Sequence, residues 1–141
     1  MGKINTKFMK HKIITLPKIE DRRGNLSVIE KDIIPFEIKR VYYLYDIPSG
    51  AERGGHAHKE QFEFLVALSG SFDVILNNGI SEEKIQLNAP DKGLFIPKRY
   101  WRELKNFSSG AVCLVVSSGE FDEKDYIRYF DEFQLFIKSF S

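Results

Sequence analysis

Two histidines stand two residues apart in Arg53-Gly54-Gly55-His56-Ala57-His58-Lys59. Residues i and i+2 of an extended strand point to the same face, so both imidazoles enter one space. Neighbouring imidazoles repel each other's protons, which favours a neutral ring able to act as a base. A pair of exposed polar strand residues would have the same spacing. The Gly-Gly turn before the pair and the apolar strand FEFLVALSG after it favour a site. Arg40-Val41-Tyr42-Tyr43 is the second candidate. On a strand Arg40 and Tyr42 share a face, where the Tyr42 phenol can relay a proton or hold an oxyanion. A tyrosine packed at the core edge with its hydroxyl bonded fits that spacing equally well.

Cations recur at turns and strand ends: Arg23, Arg53, Lys59, Lys98, Arg99 and Arg102. Arginines in particular suit a pyrophosphate through paired hydrogen bonds, whereas each cation taken singly reads as a solvated surface charge. Arg40, Arg53 and Lys59 are the choice for gripping the pyrophosphate. Trp101, the one tryptophan, can stack on a base or a sugar, or anchor the core. The pair His56 and His58 with Glu63 five residues on also opens the metal-binding signature of cupins, which ends in a third histidine on a later strand. That position is Arg102 here, and a guanidinium cannot ligate a divalent ion and would repel one. Two histidines and a carboxylate can still form a facial triad for iron. The residues weigh against a metal.

The elements that must hold these groups are short. Turn signals divide 141 residues into apolar runs such as LSVIE, EIKRVYYLYD, FEFLVALSG, SFDVIL, EEKIQL, GLFIP and AVCLVV, with Asn77-Asn78-Gly79 marking a hairpin. The length fits one domain, residues 1–141, with 1–12 as an N-terminal extension. Twelve Phe and six Tyr favour strands and lined pockets. Only the tail DEKDYIRYFDEFQLFIKSF carries helical spacing, through Ile127, Phe130, Phe133 and Phe136. Strands such as FLVAL and CLVV are apolar on both faces, so the face turned from the cavity needs a second sheet or a second subunit. The expected fold is all-β, a sandwich or small barrel with one C-terminal helix.

A net charge of +1 gives no nucleic-acid or membrane-surface footprint. The single Cys113 excludes an intrachain disulfide and reads as a small buried hydrophobe in a reducing compartment. The basic N-terminus lacks the apolar core of a secretory signal, and no segment is long enough to span a bilayer. The expected location is the cytoplasm.

DRRGNLSVIE, IPFEIKRVYYLYD, RGGHAHKE, LSGSFDVILNNG, GLFIP with its following Trp, and FDEKDYIRYFDEF together resemble the dTDP-4-keto-6-deoxyglucose 3,4-ketoisomerases, from about Ile14 to Phe133. The resemblance implies a cupin fold, a jelly-roll β-barrel with a short C-terminal helix, working without a metal or other cofactor. It implies a dTDP-linked keto sugar as ligand, His56, His58 and Tyr42 as acid/base residues, and a homodimer with exchanged N-terminal strands. The product would feed synthesis of 3-amino-3,6-dideoxyhexoses. Three positions depart from the family pattern. Glu63 stands where glutamine is usual, beside the histidines. Pro97-Lys98-Arg99-Tyr100 replaces a Gly-Pro pair. Arg23 resembles galacto-forming members, whereas Arg102 resembles gluco-forming ones.

The implied chemistry needs few groups. A C4 ketone acidifies the proton on C3; a neutral imidazole, His56, removes it to give an enediolate, and reprotonation at C4 leaves the ketone at C3, with His58 and Tyr42 in the relay. Other readings are a dTDP-keto-sugar 3,5-epimerase, a metal-dependent cupin oxygenase on His56, His58 and Glu63, and a non-catalytic sugar-nucleotide binding module. The first lacks a second His-Asp constellation in the sequence.

Overall fold

The computed structural model describes residues 9–30 and 32–140. Two five-stranded antiparallel sheets face each other. The first has the order β1 (Lys12–Thr15), β9 (Lys92–Ile96), β6 (Glu63–Ser69), β11 (Val112–Ser117), β4 (Arg40–Leu44). The second runs β12 (Tyr126–Ile127), β5 (Arg53–His58), β10 (Trp101–Lys105), β7 (Phe72–Asn77), β8 (Glu82–Leu87). A separate hairpin joins β2 (Lys18–Ile19) to β3 (Leu26–Ser27). This is the expected jelly roll, its sheets face to face and, among the described residues, not joined by backbone pairing. The Asn77-Asn78-Gly79 turn links β7 to β8 as anticipated, with the Asn77 and Asn78 side chains accepting from the backbone of Gly79, Ile80 and Ser81.

Alternation along each strand sorts the side chains into three apolar clusters. Leu65, Ala67, Val74, Leu76, Leu94, Ile96, Leu104, Cys113 and Val115 fill the space between the sheets. Phe64, Val66, Phe95 and Val116 point out of the first sheet, and the chain's own segment with Ile29, Ile33, Ile34, Phe36 and Ile38 covers them. The chain itself thus covers the middle of that outer face, while Val41 and Tyr43 on the edge strand β4 stay exposed. Outside the second sheet, Ala57, Trp101 and Ile127 pack under Phe133, Phe136 and Ile137 of α1 (Phe130–Lys138). The helix starts later than the spacing of the tail predicts. Ile127 pairs with Ala57 as part of β12, so its backbone belongs to the sheet before the helix begins.

Of the extension expected over 1–12, residues 1–8 lie outside the described residues. Lys12 already belongs to β1, and His11 Nε2 lies 2.6 Å from Glu83 Oε2. Among the described residues no helix is long and apolar enough to cross a membrane.

Candidate active site

At one end of the space between the sheets lies a cavity of about 300 Å3. Register explains its wall. On β4, β11 and β6 the residues Arg40, Ser117 and Glu63 stand in one cross-strand row, and Tyr42, Val115 and Leu65 in another. Arg40, Tyr42 and Leu44 thus face inward, while Val41 and Tyr43 are exposed on the other side of β4. From the opposite sheet, β5 and β10 bring His56 and Arg102 side by side.

The Gly-Gly stretch before the histidines has a structural reason. The β5–β10 register slips between Arg102 and Leu104, so β5 carries an extra residue there. Gly54 takes φ 82°, in the left-handed region that L side chains rarely adopt, and a Cβ on it would press on Leu104. The bulge re-aims the strand, and His56 and His58 leave it facing inward while Ala57 packs outward.

The two rings meet edge to face, their centroids 4.9 Å apart. They are not equivalent. His56 lines the cavity. Burial, then the Arg102 charge, then His58 push its pKa from 6.5 down to about 2, so the resting ring is neutral. The expected mutual repulsion is present, but desolvation dominates it. His56 Nε2 is buried with no hydrogen-bond partner, an acceptor or donor left for something else to satisfy. His58 is fully buried and stands behind His56. Its Nδ1 lies 2.9 Å from Asp125 Oδ2, and its Nε2 approaches Glu63 Oε1 at 3.4 Å without hydrogen-bond alignment.

Glu63 organises the floor. Its Oε1 accepts from Arg102 Nη1 at 2.7 Å. Its Oε2 accepts from Ser117 Oγ at 2.5 Å and from the Tyr42 hydroxyl at 3.0 Å, with Arg40 Nη2 at 3.7 Å. Burial alone would raise the pKa of this carboxyl; the His58 and Arg102 contacts outweigh it and hold the group well below the usual carboxylate range. Burial, followed by the Glu63 charge, raises the Tyr42 phenol well above its usual value, so Tyr42 stays protonated and donates to Glu63.

His56, His58 and Glu63 offer ligand atoms within 4.8 Å of one another. An ion there would have to displace Arg102 from Glu63 Oε1 and lie against its buried guanidinium. The donor set fits that guanidinium, not a divalent metal.

The remaining candidates separate. Arg53 lines the cavity mouth. Arg40 is tied inward, donating to Gln61 Oε1 at 3.1 Å and Ser117 Oγ at 3.4 Å. Lys59 lies outside the cavity lining, beside the Asp125 carbonyl that its backbone N–H reaches at 2.9 Å. Trp101 sits on the outward face of β10, edge-on to Phe130 and tilted against Phe133, and serves as the core anchor. Arg23 is in the exposed β2–β3 turn, paired to Asp21 at 2.9 Å. The turn replacing the Gly-Pro pair closes behind the site: Arg99 takes φ 70°, and its N–H donates to the His58 carbonyl at 2.7 Å.

Three contributors were not singled out from the sequence. Asp125, Tyr126 and Arg128 all come from the DYIR stretch, whose spacing points to a helix and not to a site. Tyr126 packs on both imidazoles, with centroids 5.0 Å from His56 and 4.5 Å from His58. Arg128 lines the mouth, its guanidinium held by both oxygens of Glu123 and laid over Tyr126.

Comparison with known proteins decides the family. The family model described as "FdtA: WxcM-like, C-terminal" matches residues 9–138. The chain belongs to this family. A TDP-4-oxo-6-deoxy-alpha-D-glucose-3,4-oxoisomerase of Aneurinibacillus thermoaerophilus is 45% identical over 130 residues, 92% of this chain and 94% of that protein. The crystal structure of a TDP-quinovose 3,4-ketoisomerase from Campylobacter jejuni matches with a TM-score of 0.85 at 51% identity, covering 89% of this chain and 97% of the other. A variant of a Thermoanaerobacterium thermosaccharolyticum 3,4-ketoisomerase, solved with TDP-4-keto-6-deoxyglucose, matches with a TM-score of 0.89 at 39% identity over 92% and 94% of the two chains. The chain is accordingly an isomerase of the sugar 3,4-ketoisomerase class.

Proposed function

We propose that the substrate is dTDP-4-keto-6-deoxyglucose and that His56 takes a proton from its C3 and delivers one to its C4. The observation that carries this reading is His56 itself, a neutral ring on the cavity wall whose buried Nε2 has no partner. The ring accepts the C3 proton, and the bonding pair passes into an enediolate across C3 and C4. The negative charge this creates offsets the cost of an imidazolium in a dry site. Arg102 adds a fixed positive charge beside the same ring. Tyr42, protonated and hydrogen-bonded to Glu63, passes a proton between the two sugar oxygens, with His58 supporting the relay from behind. Protonation of C4 by the imidazolium, after its proton has exchanged with solvent, leaves the ketone on C3.

At the mouth, Arg53 and Arg128 are the cations we assign to the pyrophosphate, in place of the inward-tied Arg40 and the displaced Lys59. The working form is a homodimer with exchanged N-terminal strands. Two features support it: the two-stranded β2–β3 sheet exposes Ile19 and Leu26, and β4 exposes Val41 and Tyr43 at a sheet edge. Exchange would also give Arg23 a cavity to serve. The reaction is placed in the cytoplasm, where the Cys113 thiol stays reduced.

The test is incubation with dTDP-4-keto-6-deoxyglucose in deuterated water, followed by NMR. Expected is a 3-keto product carrying deuterium, whose C4 configuration the spectrum also reports; His56→Asn should fold and abolish both isomerisation and exchange. Full activity in that variant removes His56 from the mechanism, and binding without exchange in the wild type removes the isomerase reading. Sedimentation that finds only monomer at assay concentration removes the dimer.

A further inference from the structure

His58 does not line the cavity; it is fully buried behind His56. The group that holds it is Asp125, 67 residues away in sequence and packed against the side of His58 turned from Glu63. We propose that Asp125 is a positioning residue for the reaction, setting the His58 tautomer and through it the orientation of the His56 ring. The inference rests on the isomerase reading above for its consequence, though not for its geometry.

The Asp125 carboxylate is itself fixed. Its Oδ1 accepts from the Glu60 N–H at 2.8 Å, and its Oδ2 accepts from the Gln61 N–H at 3.3 Å. The Asp125 carbonyl accepts from the Lys59 N–H, so the aspartate is tied to three consecutive residues of the segment that follows His58. A short 3-10 turn, capped by Asp122, delivers it there. Burial would raise its pKa, but the His58 and backbone hydrogen bonds lower it, and the group is ionised. An ionised carboxylate only accepts hydrogen bonds, so the nitrogen facing it must be a donor: His58 carries a proton on Nδ1. Nε2 is thereby left on the side of Glu63 and His56.

His58 then meets His56 edge to face at 89°, and Tyr126, the residue after Asp125, packs against both rings. Consecutive residues of one strand end thus close the back of the pair. With its Nε2 unpartnered, His56 has no hydrogen bond from that nitrogen to hold its angle, and these ring contacts do so instead.

In Asp125→Asn one oxygen becomes an NH2 group. The amide oxygen can keep a backbone N–H, which turns the NH2 toward Nδ1 and forces the other tautomer. The expected result is a fall in kcat of about 100-fold, the scale of a small misplacement of a reacting group, with KM within about threefold. The physical readout is 15N–1H NMR of protein labelled in its histidines. In the wild type His58 should carry a proton on Nδ1, hydrogen-bonded and slow to exchange, and in the variant that proton should be lost. A wild-type His58 with Nδ1 bare overturns the proposal even if the variant never folds, and so does a folded variant with unchanged kcat. A raised KM at unchanged kcat overturns it as well, because a merely structural defect in binding would do that. If the wild type catalyses no isomerisation, the functional reading fails separately, since the tautomer is measured without substrate.

Discussion

Replacing Glu63 by glutamine tests how the floor of the site is held together. Glu63 and Arg102 are almost completely buried, with side-chain exposures of 1% and 2%. Removing one member of a buried ion pair costs about 3–5 kcal/mol because the other charge is stranded. The amide oxygen keeps the Arg102 hydrogen bond, and the Tyr42 and Ser117 hydroxyls can turn to accept from the new NH2, which puts Glu63→Gln at the low end, about 3 kcal/mol. For 141 residues an unfolding entropy of about 2.1 cal/mol/K per residue gives about 0.3 kcal/mol per degree, so Tm should fall by about 10 °C at neutral pH. Acid provides the second half of the test. The pKa of Glu63 is depressed in the folded protein, so its contribution is complete above the unfolded value near 4.3 and is lost as pH falls below it. At pH 3 the wild type should have lost about 2 kcal/mol through this group alone, a loss the variant cannot suffer. Thermal unfolding by circular dichroism at pH 7 and pH 3 should therefore show the gap between the two proteins shrinking by more than half. An unchanged Tm at pH 7, or a gap that stays constant on acidification, would refute the buried ion pair as the organiser of the site.

Two further substitutions read other parts of the molecule. Tyr42→Phe removes one donor to a carboxylate that retains Ser117 and Arg102, so stability should drop by only about 1 kcal/mol while kcat falls by about 100-fold or more; near-normal turnover would take the phenol out of the relay. A methyl group at Gly93 would overlap the fully buried Phe64 ring, so Gly93→Ala should cost about 2–3 kcal/mol, read as a lower urea midpoint with an unchanged slope; an unaltered midpoint would show that the β6–β9 contact can relax.

The sandwich was readable because period-two alternation and turn chemistry act locally: SFDVIL, the Asn-Asn-Gly turn and EEKIQL became β7, its hairpin and β8 as written. The histidine pair and the inward Tyr42 were readable for the same reason, since a strand places i and i+2 together whatever its neighbours are. What was not readable depends on register between distant strands. Nothing near Arg40 indicates that its guanidinium will be spent on Gln61 and Ser117, nor that Trp101 faces the helix side of β10. The periodicity of the tail merged Ile127 with the helix because spacing three is satisfied by a strand residue followed by a helix as well as by a helix alone. Asp125 is the extreme case, a residue whose role exists only once β12 has paired with β5.

That pairing also sets an order in time. Every other strand of the sandwich precedes β12 in the chain, and chains fold from the N-terminal side as they are made. While a nascent chain lacks its last segment, the two sheets can pack around their shared core, but His58 has no aspartate, the histidine pair has no Tyr126 against it, and the outer face of Trp101 is bare. Completion of the catalytic centre is thus deferred to the end of synthesis, and a chain broken off just before Asp122 would yield a folded shell with a disarmed base.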